Sequence, residues 1–404
     1  MRRLAILLLP FLALVTNEGA HASTFSFNGY ADFRLVLPPS EKSWLDGGLG
    51  KLRYGASQPD PDFRFAEAVG QLTFAWTDEL HFVAVARVEP QTPSGIDALE
   101  GYAAWRPQPF GDWRWSIKAG AFSPTISVEN DDLGWTSPYT LTPSAINSWI
   151  GEELRTIGGE GTLSRQTSWG TVSAIGAVFC CNEPAGTMMA DRGWAMDDRP
   201  TGLFEPLRLP DAAVSLFGGT PPGHTKLFQN IDDRAGWYAG LKWDVPDLGQ
   251  IAVLRYDNNA DPFASNAYDS SWLTRFWSAS LKTRIAGVTV LAQALTGDTA
   301  IGGGGMLFTT RFNSAFVLAS YDIGEDWRVS ARAETFDVRD HPSFTLIDED
   351  GHGFTAAAIW TPKDWLRVTA EIIAITSRRG ERTLEALNPT QSNTQFQLST
   401  RFIL

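Results

Sequence analysis

The chain is 404 residues long, 43% apolar and 12% aromatic, with 46 acidic against 33 basic residues and a formal charge of −13. So acidic a chain lacks the concentrated basic surface that phosphate backbones require, which argues against nucleic acid as a partner. Its two cysteines cannot build a disulfide framework. Past the N-terminal segment no stretch reaches the roughly 18 uninterrupted apolar residues of a membrane-spanning helix, although a β-barrel escapes that test.

Residues 1–22 read as a signal peptide. Arg2 and Arg3 give a positive start, Leu4 to Val15 a short apolar core, and Ala20-His21-Ala22 a small-residue cleavage site, so the mature chain is expected from Ser23. From there the sequence runs as segments of alternating polarity separated by turn signals: 25–37, 64–77, 80–90, 97–106, 113–122, 154–165, 170–181, 234–244, 249–259, 272–285, 287–297, 306–320, 326–338, 352–361, 365–378 and 391–404. In the first, Phe25, Phe27, Ala31, Phe33 and Leu35 share one face, and Asn28, Asp32 and Arg34 the other. In 365–378, Leu366, Val368, Ala370 and Ile372 oppose Arg367, Thr369 and Glu371. Period two with one apolar face describes a sheet between two unlike solvents. Trp76, Trp105, Trp113, Trp115, Trp243, Trp327, Trp360 and Trp365 sit beside short turns, where indole rings suit a membrane interface.

Short turns (78–79, 107–112, 166–169, 245–248, near Ala286, 321–325, 362–364) alternate with longer loops (38–63, 91–96, 123–153, 182–233, 260–271, 298–305, 339–351, 379–390). Long loops outside and short turns inside, with an even strand number that lets the sheet close, define the expected fold. It is all-β: a transmembrane antiparallel up-and-down β-barrel of about sixteen strands, residues 23–404, with both termini on the periplasmic side. Cys180 and Cys181 read as two small residues at a strand end, with pairing to each other as the alternative.

A barrel of this size encloses an aqueous channel whose lining charges set selectivity. The polar phase places Arg34, Arg87, Arg114, Lys118, Arg255, Arg311, Arg328, Arg332, Arg367 and Arg401 on the pore wall, against fewer acids. That bias predicts a mild anion preference, unless the charges pair across strands and only stiffen the wall. Loop 123–153 is too apolar to be freely solvated, since Leu141, Ile146, Trp149 and Ile150 need a surface to bury against. Folded into the barrel mouth, it would set Glu129, Asp131, Asp132, Glu152 and Glu153 across a constriction from the basic wall; packing on the outer rim or at a subunit contact is the alternative. Loop 182–233, rich in Pro, Gly and Asp, is long enough to fold over the mouth or inward.

Sixteen segments, a signal peptide, an inward third loop and a chain near 400 residues together resemble the general trimeric porins. Within them, Gly120-Ala-Phe-Ser-Pro124, Glu129 and Leu154-Arg-Thr-Ile-Gly-Gly159 are similar to the phosphate- and polyphosphate-selective porin family. The resemblance implies a homotrimer in the outer membrane of a Gram-negative bacterium, in contact with lipid and lipopolysaccharide and passing small hydrophilic solutes passively. That family binds anions through a ladder of arginines and lysines, whereas loop 123–153 contains neither, and the chain ends Phe402-Ile-Leu404 rather than on an aromatic. Two other readings stand: a structural or adhesive barrel plugged by loop 182–233, and an outer-membrane hydrolase. For the hydrolase, His81, His224, His341 and His352 lack any surrounding catalytic motif. No enzymatic activity, cofactor or metal is expected.

Overall fold

The computed structural model describes residues 23–56, 59–216, 223–341 and 346–404; the signal segment 1–22 lies outside them. The strands are β1 (Thr24–Leu37), β2 (Asp62–Ala75), β3 (Leu80–Val88), β4 (Ile96–Trp105), β5 (Trp113–Phe122), β6 (Thr156–Thr167), β7 (Gly170–Cys180), β8 (Pro206–Arg208), β9 (His224–Lys226) and β10 (Gly236–Val245). They continue with β11 (Gly249–Asp257), β12 (Leu273–Ile285), β13 (Val288–Gly303), β14 (Met306–Ile323), β15 (Trp327–His341), β16 (Glu349–Lys363), β17 (Leu366–Arg379) and β18 (Thr390–Ile403). All but β8 and β9 close into one barrel. Each strand pairs antiparallel with its neighbours, β7 with β10 and β18 with β1. Closure satisfies every ladder and leaves no free edge.

The outer face follows the alternation. Phe25, Phe27, Leu72, Phe82, Leu241, Ile251, Val317 and Ile372 stand exposed on it. At the short-turn end it finishes in exposed indoles, with Trp105 and Trp115 at 4.6 Å and Trp327 and Trp360 at 5.8 Å between ring centroids. An apolar band ending in such a girdle is the surface a barrel presents to lipid. At the turn end the strands agree with the segments read from sequence to within a few residues. At the loop end β13 to β16 run further, to Gly303, Met306, His341 and Glu349.

Not all of the loops lie outside. The third loop carries helix α1 (Ala145–Glu153), all of it buried, N-capped by Ser144, whose side chain accepts from Asn147 N. The loop after β7 carries the short helix α2 (Thr187–Asp191), also buried. Ile146, Trp149 and Ile150 of α1, and Met189, Trp194 and Met196 of the following loop, join one apolar cluster with wall residues Tyr238, Tyr256, Phe276, Phe312, Phe336 and Ile373. The expectation of an aqueous channel is thus corrected for the loop-end half of the lumen. The loop-end half of the lumen is a packed core, and where α1 and the loop after β7 press on it the wall is apolar, because protein, not water, fills that space.

Three further expectations change. Cys180 and Cys181 are joined to each other by a disulfide where β7 hands over to the loop, Cys181 taking a φ of 70° at that corner. Arg255 and Arg311 lie on the outer face. Leu254 and Tyr256 flank Arg255 on β11 and are buried inward, and Phe312 does the same beside Arg311 on β14.

Candidate functional site: a plugged lumen above a charged vestibule

Each of the sixteen barrel strands holds at least one inward side chain buried at its loop end, from Arg34 on β1 through Arg87 on β3, Tyr238 on β10 and Arg332 on β15 to Gln395 on β18. No strip of this part of the wall is left to water. Three loops make the plug: those following β1, β5 and β7. The first is tied in by ions. Lys51 Nζ lies 2.6 Å from Glu349 of β16 and donates to Arg192 O at 2.8 Å. Arg53 meets Glu89 at 2.8 Å and Asp198 at 3.0 Å. Asp198, from the loop after β7, also takes Arg34 of the wall at 2.5 Å, and Arg34 meets Asp32 at 2.8 Å. Burial opposes ionisation of Asp198, but Arg34 and Arg53 outweigh it and hold the carboxyl well below the usual range. Arg199 completes the network on Glu89 at 2.8 Å and on Glu205. Pairing of this kind is the condition for keeping charges in a dry interior.

The third loop is fixed to the opposite wall. Arg332 donates to Glu129 at 2.7 Å and to the carbonyls of Thr142 and Pro143 at 2.8 and 3.0 Å. Glu371 accepts from Leu141 N at 2.7 Å, and Glu334 from Ala145 N at 2.7 Å. Glu334 thus satisfies a free N–H group at the first residue of α1, where the helix dipole favours negative charge. At the other end of α1, Glu152 holds Arg192 bidentately at 2.6 and 2.7 Å. Glu153 accepts from Trp149 Nε1 (2.5 Å), Gly186 N (2.9 Å) and Met188 N (2.6 Å). Burial and the neighbouring Glu152 push its carboxyl up to about 7. Asp197 rises to about 7 for the same two reasons, and burial brings Lys51 down to about 7. Gly186 and Gly193 take φ of 110° and 77°, and a Cβ there would run into Thr299 and Glu349 of the wall. The backbone must come that close for the loop to fit inside the ring.

Below the plug the lumen is wet. Lys118, Lys282, Arg328 and Arg367 line it, partly exposed, beneath the underside of the third loop. Asp131 meets Lys282 at 3.2 Å and Asp132 meets Arg367 at 3.3 Å. Lys118 pairs with Glu160 at 3.0 Å, Lys242 with Asp244 at 3.1 Å and Arg328 with Asp322 at 2.7 Å. Arg114 and Arg284, on the same inward phase, have no ion pair or side-chain hydrogen bond among the described residues.

Of the ten bases placed on the pore wall from sequence, eight point inward, but Arg34, Arg87, Arg332 and Arg401 are sealed in the plug contact. Of the five loop acids, Glu129, Asp131 and Asp132 face wall cations, whereas Glu152 and Glu153 turn to the next loop. Sequence reasoning missed Lys51, Arg53, Arg192, Asp198 and Arg199. The signal was present in Trp44, Met188, Met189, Trp194 and Met196, apolar residues in loops, which need burial as Trp149 does. Among the described residues no group of three His, Cys, Asp or Glu side chains is placed to hold a metal ion.

This arrangement defines a closed sixteen-strand barrel of the porin fold, with loops folded into its lumen. Solved structures that share the barrel fold include the following three. The outer-membrane channel DcaP of Acinetobacter baumannii matches with TM-score 0.57 at 9% identity, covering 97% of this chain and 100% of its own. A loop L8 deletion mutant of OmpT, an outer-membrane protein of Vibrio cholerae, matches with 0.56 at 10%, covering 95% and 100%. An anion-selective porin from Comamonas acidovorans matches with 0.55 at 10%, covering 95% and 100%. No protein-family profile and no curated relative matches the chain.

Proposed function

We propose that the protein is an outer-membrane channel of the porin type, held closed by its own loops, that passes small polar solutes with a mild preference for anions. The observation that supports it is a wet, charge-lined vestibule ending blind against a plug joined to the wall by ion pairs and hydrogen bonds, all of them reversible. A barrel serving only as scaffold needs no such vestibule. The five vestibule pairs nearly cancel, so the bias comes from Arg114 and Arg284, whose field in a low-dielectric tube concentrates anions. Planar-bilayer recordings in a salt gradient test this: discrete openings with a reversal potential toward the anion are expected, and a cation preference overturns the anion assignment.

The filled loop end also favours a second reading, a permanently plugged structural or adhesive barrel. Absence of conductance at all voltages, persisting when the plug is weakened by mutation, decides for it. Neither reading assigns an enzymatic activity, and hydrolysis of lipid or peptide by the purified protein would overturn both. The expected assembly is a homotrimer, which cross-linking in native membranes checks.

A further inference from the structure

Between residues 181 and 201 the loop after β7 turns through the left-handed region three times, at Cys181, Gly186 and Gly193, with φ of 70°, 110° and 77°. Glycine enters that region without a steric penalty. A residue with a Cβ does not, and Asn and Asp ease it with local side-chain hydrogen bonds. Cysteine has no such help. At this corner the sequence instead bonds Cys181 to Cys180, the last residue of β7. The two sulfurs close a small ring around the peptide between them, which restricts the dihedrals of the corner whether or not the loop is docked.

The corner aims the next residues into the lumen. Asn182 is buried, and its side chain donates to Glu153 O at 2.9 Å and accepts from Arg155 N at 3.0 Å, across the end of α1. Its carbonyl accepts from Asn258 Nδ2 at 2.9 Å, and Glu183 O accepts from Trp272 N at 2.7 Å. The same two residues thus join the plug to α1 and to the segments bordering β11 and β12. On the other side of the corner, Cys180 ends the β6–β7 ladder opposite Ile157. The disulfide therefore sits where fixed wall becomes removable loop. Both cysteines are partly exposed, as the approach of a thiolate requires.

We propose that the Cys180–Cys181 disulfide is a redox latch on the plug, opened by a dithiol that reaches the loop end of the barrel. One thiolate of the dithiol attacks a sulfur of the pair and forms a mixed disulfide; the S–S bond breaks, and the other cysteine leaves as a thiolate that takes up a proton. The second thiol of the dithiol then closes on the first and releases the remaining cysteine. Two electrons pass to the protein, the dithiol departs as a disulfide, and both cysteines end as thiols. Freed from the ring, Cys181 prefers negative φ, the chain is no longer directed inward, and the anchors of Asn182 and Glu183 weaken. This rests on the closed-channel reading and names a release for its plug. Local exchange reads the latch even in a barrel that never conducts, so the two can fail separately.

The test compares wild type with C180S/C181S and C180S/C181G in detergent, with and without dithiothreitol. Heat-modifiable migration confirms that the barrels are folded, alkylation counts free thiols, and hydrogen exchange with limited trypsin digestion at Arg192 and Arg199 reads the plug. Wild type purified without reductant should show no free thiol. Dithiothreitol should free both cysteines and speed exchange across residues 182–201 roughly five- to thirty-fold, the value of one disfavoured left-handed residue, with the turn-end strands unchanged. C180S/C181S should exchange at that faster rate without reagent. In C180S/C181G a glycine takes the corner without a bond and should recover part of the protection, and neither variant should respond to dithiothreitol. The proposal is overturned by free thiols in the untreated protein or by a disulfide that resists dithiothreitol in the folded barrel. A reduced protein as protected as the oxidised one, or a C180S/C181G barrel no better protected than C180S/C181S, overturns it equally.

Discussion

Replacing Trp149 by Ala should open the lumen without unfolding the barrel. The indole is fully buried and lies against Phe312 at 5.1 Å, Phe276 at 5.4 Å and Trp194 at 5.9 Å, so it joins α1 at once to the wall and to the loop after β7. Truncating a buried Trp costs about 3–5 kcal/mol. Here little of that cost should be recovered by collapse, because the wall aromatics are fixed by their ladders. Glu153 is not orphaned by the change, since it keeps the N–H groups of Gly186 and Met188, so no extra unpaired-charge penalty is added. The whole cost falls on the plugged state and not on strand pairing. At about 1.4 kcal/mol per decade the closed-to-open ratio falls roughly a hundred- to several-thousand-fold. Bilayer recordings should show a corresponding rise in open time, and trypsin should reach Arg192 and Arg199, both buried in the native protein. Trp365→Ala, which removes an exposed girdle residue, serves as control and should do neither. A folded W149A barrel with unchanged conductance and protected Arg192 and Arg199 would refute the claim that this contact holds the plug.

The pH dependence has two opposed windows. Asp191, pushed up to about 7 by burial and by Glu381, joins Glu153 and Asp197 at about 7. Their proton uptake favours the plugged state at low pH and is lost as pH climbs from the ordinary carboxylate range to about 7. Lys51, depressed to about 7, runs the other way: the released loop binds its proton more tightly, so the plug regains stability from pH 7 up to the ordinary lysine range. Hydrogen-exchange protection across residues 187–201, taken relative to the intrinsic exchange rate at each pH, should be lowest near neutrality and higher on both sides, and a monotonic profile would contradict the assignment. Asp198→Ala strips one carboxylate from Arg34 and Arg53, which keep Asp32 and Glu89; a loss near the lower end of 3–5 kcal/mol, about 3, is expected, seen as faster exchange in residues 38–56. In the vestibule, R114E/R284E should move the reversal potential toward cations by reversing two bases that have no ion pair among the described residues, while K242Q, whose partner Asp244 is half-exposed, should shift it little.

The period-two pattern alone was enough to determine the closed ring: its strands, its turn-end boundaries, its aromatic girdle, and the inward position of Arg114, Lys118, Arg328 and Arg367. Those positions meet bulk water on one side and lipid on the other, so polarity reports direction. Trp149 and its neighbours likewise revealed that the third loop needed an interior to enter. Where the tertiary structure decided, the same cue had reversed its meaning. At the loop end the inner face is dried by the plug, so the apolar phase of β11 and β14 points in and Arg255 and Arg311 point out. The partners of Arg34, Arg53 and Glu152 lie on loops distant in sequence, and only closure of the barrel brings them within hydrogen-bond reach. Local alternation carries no information about which loop will fill a cavity that exists only once all sixteen strands have met.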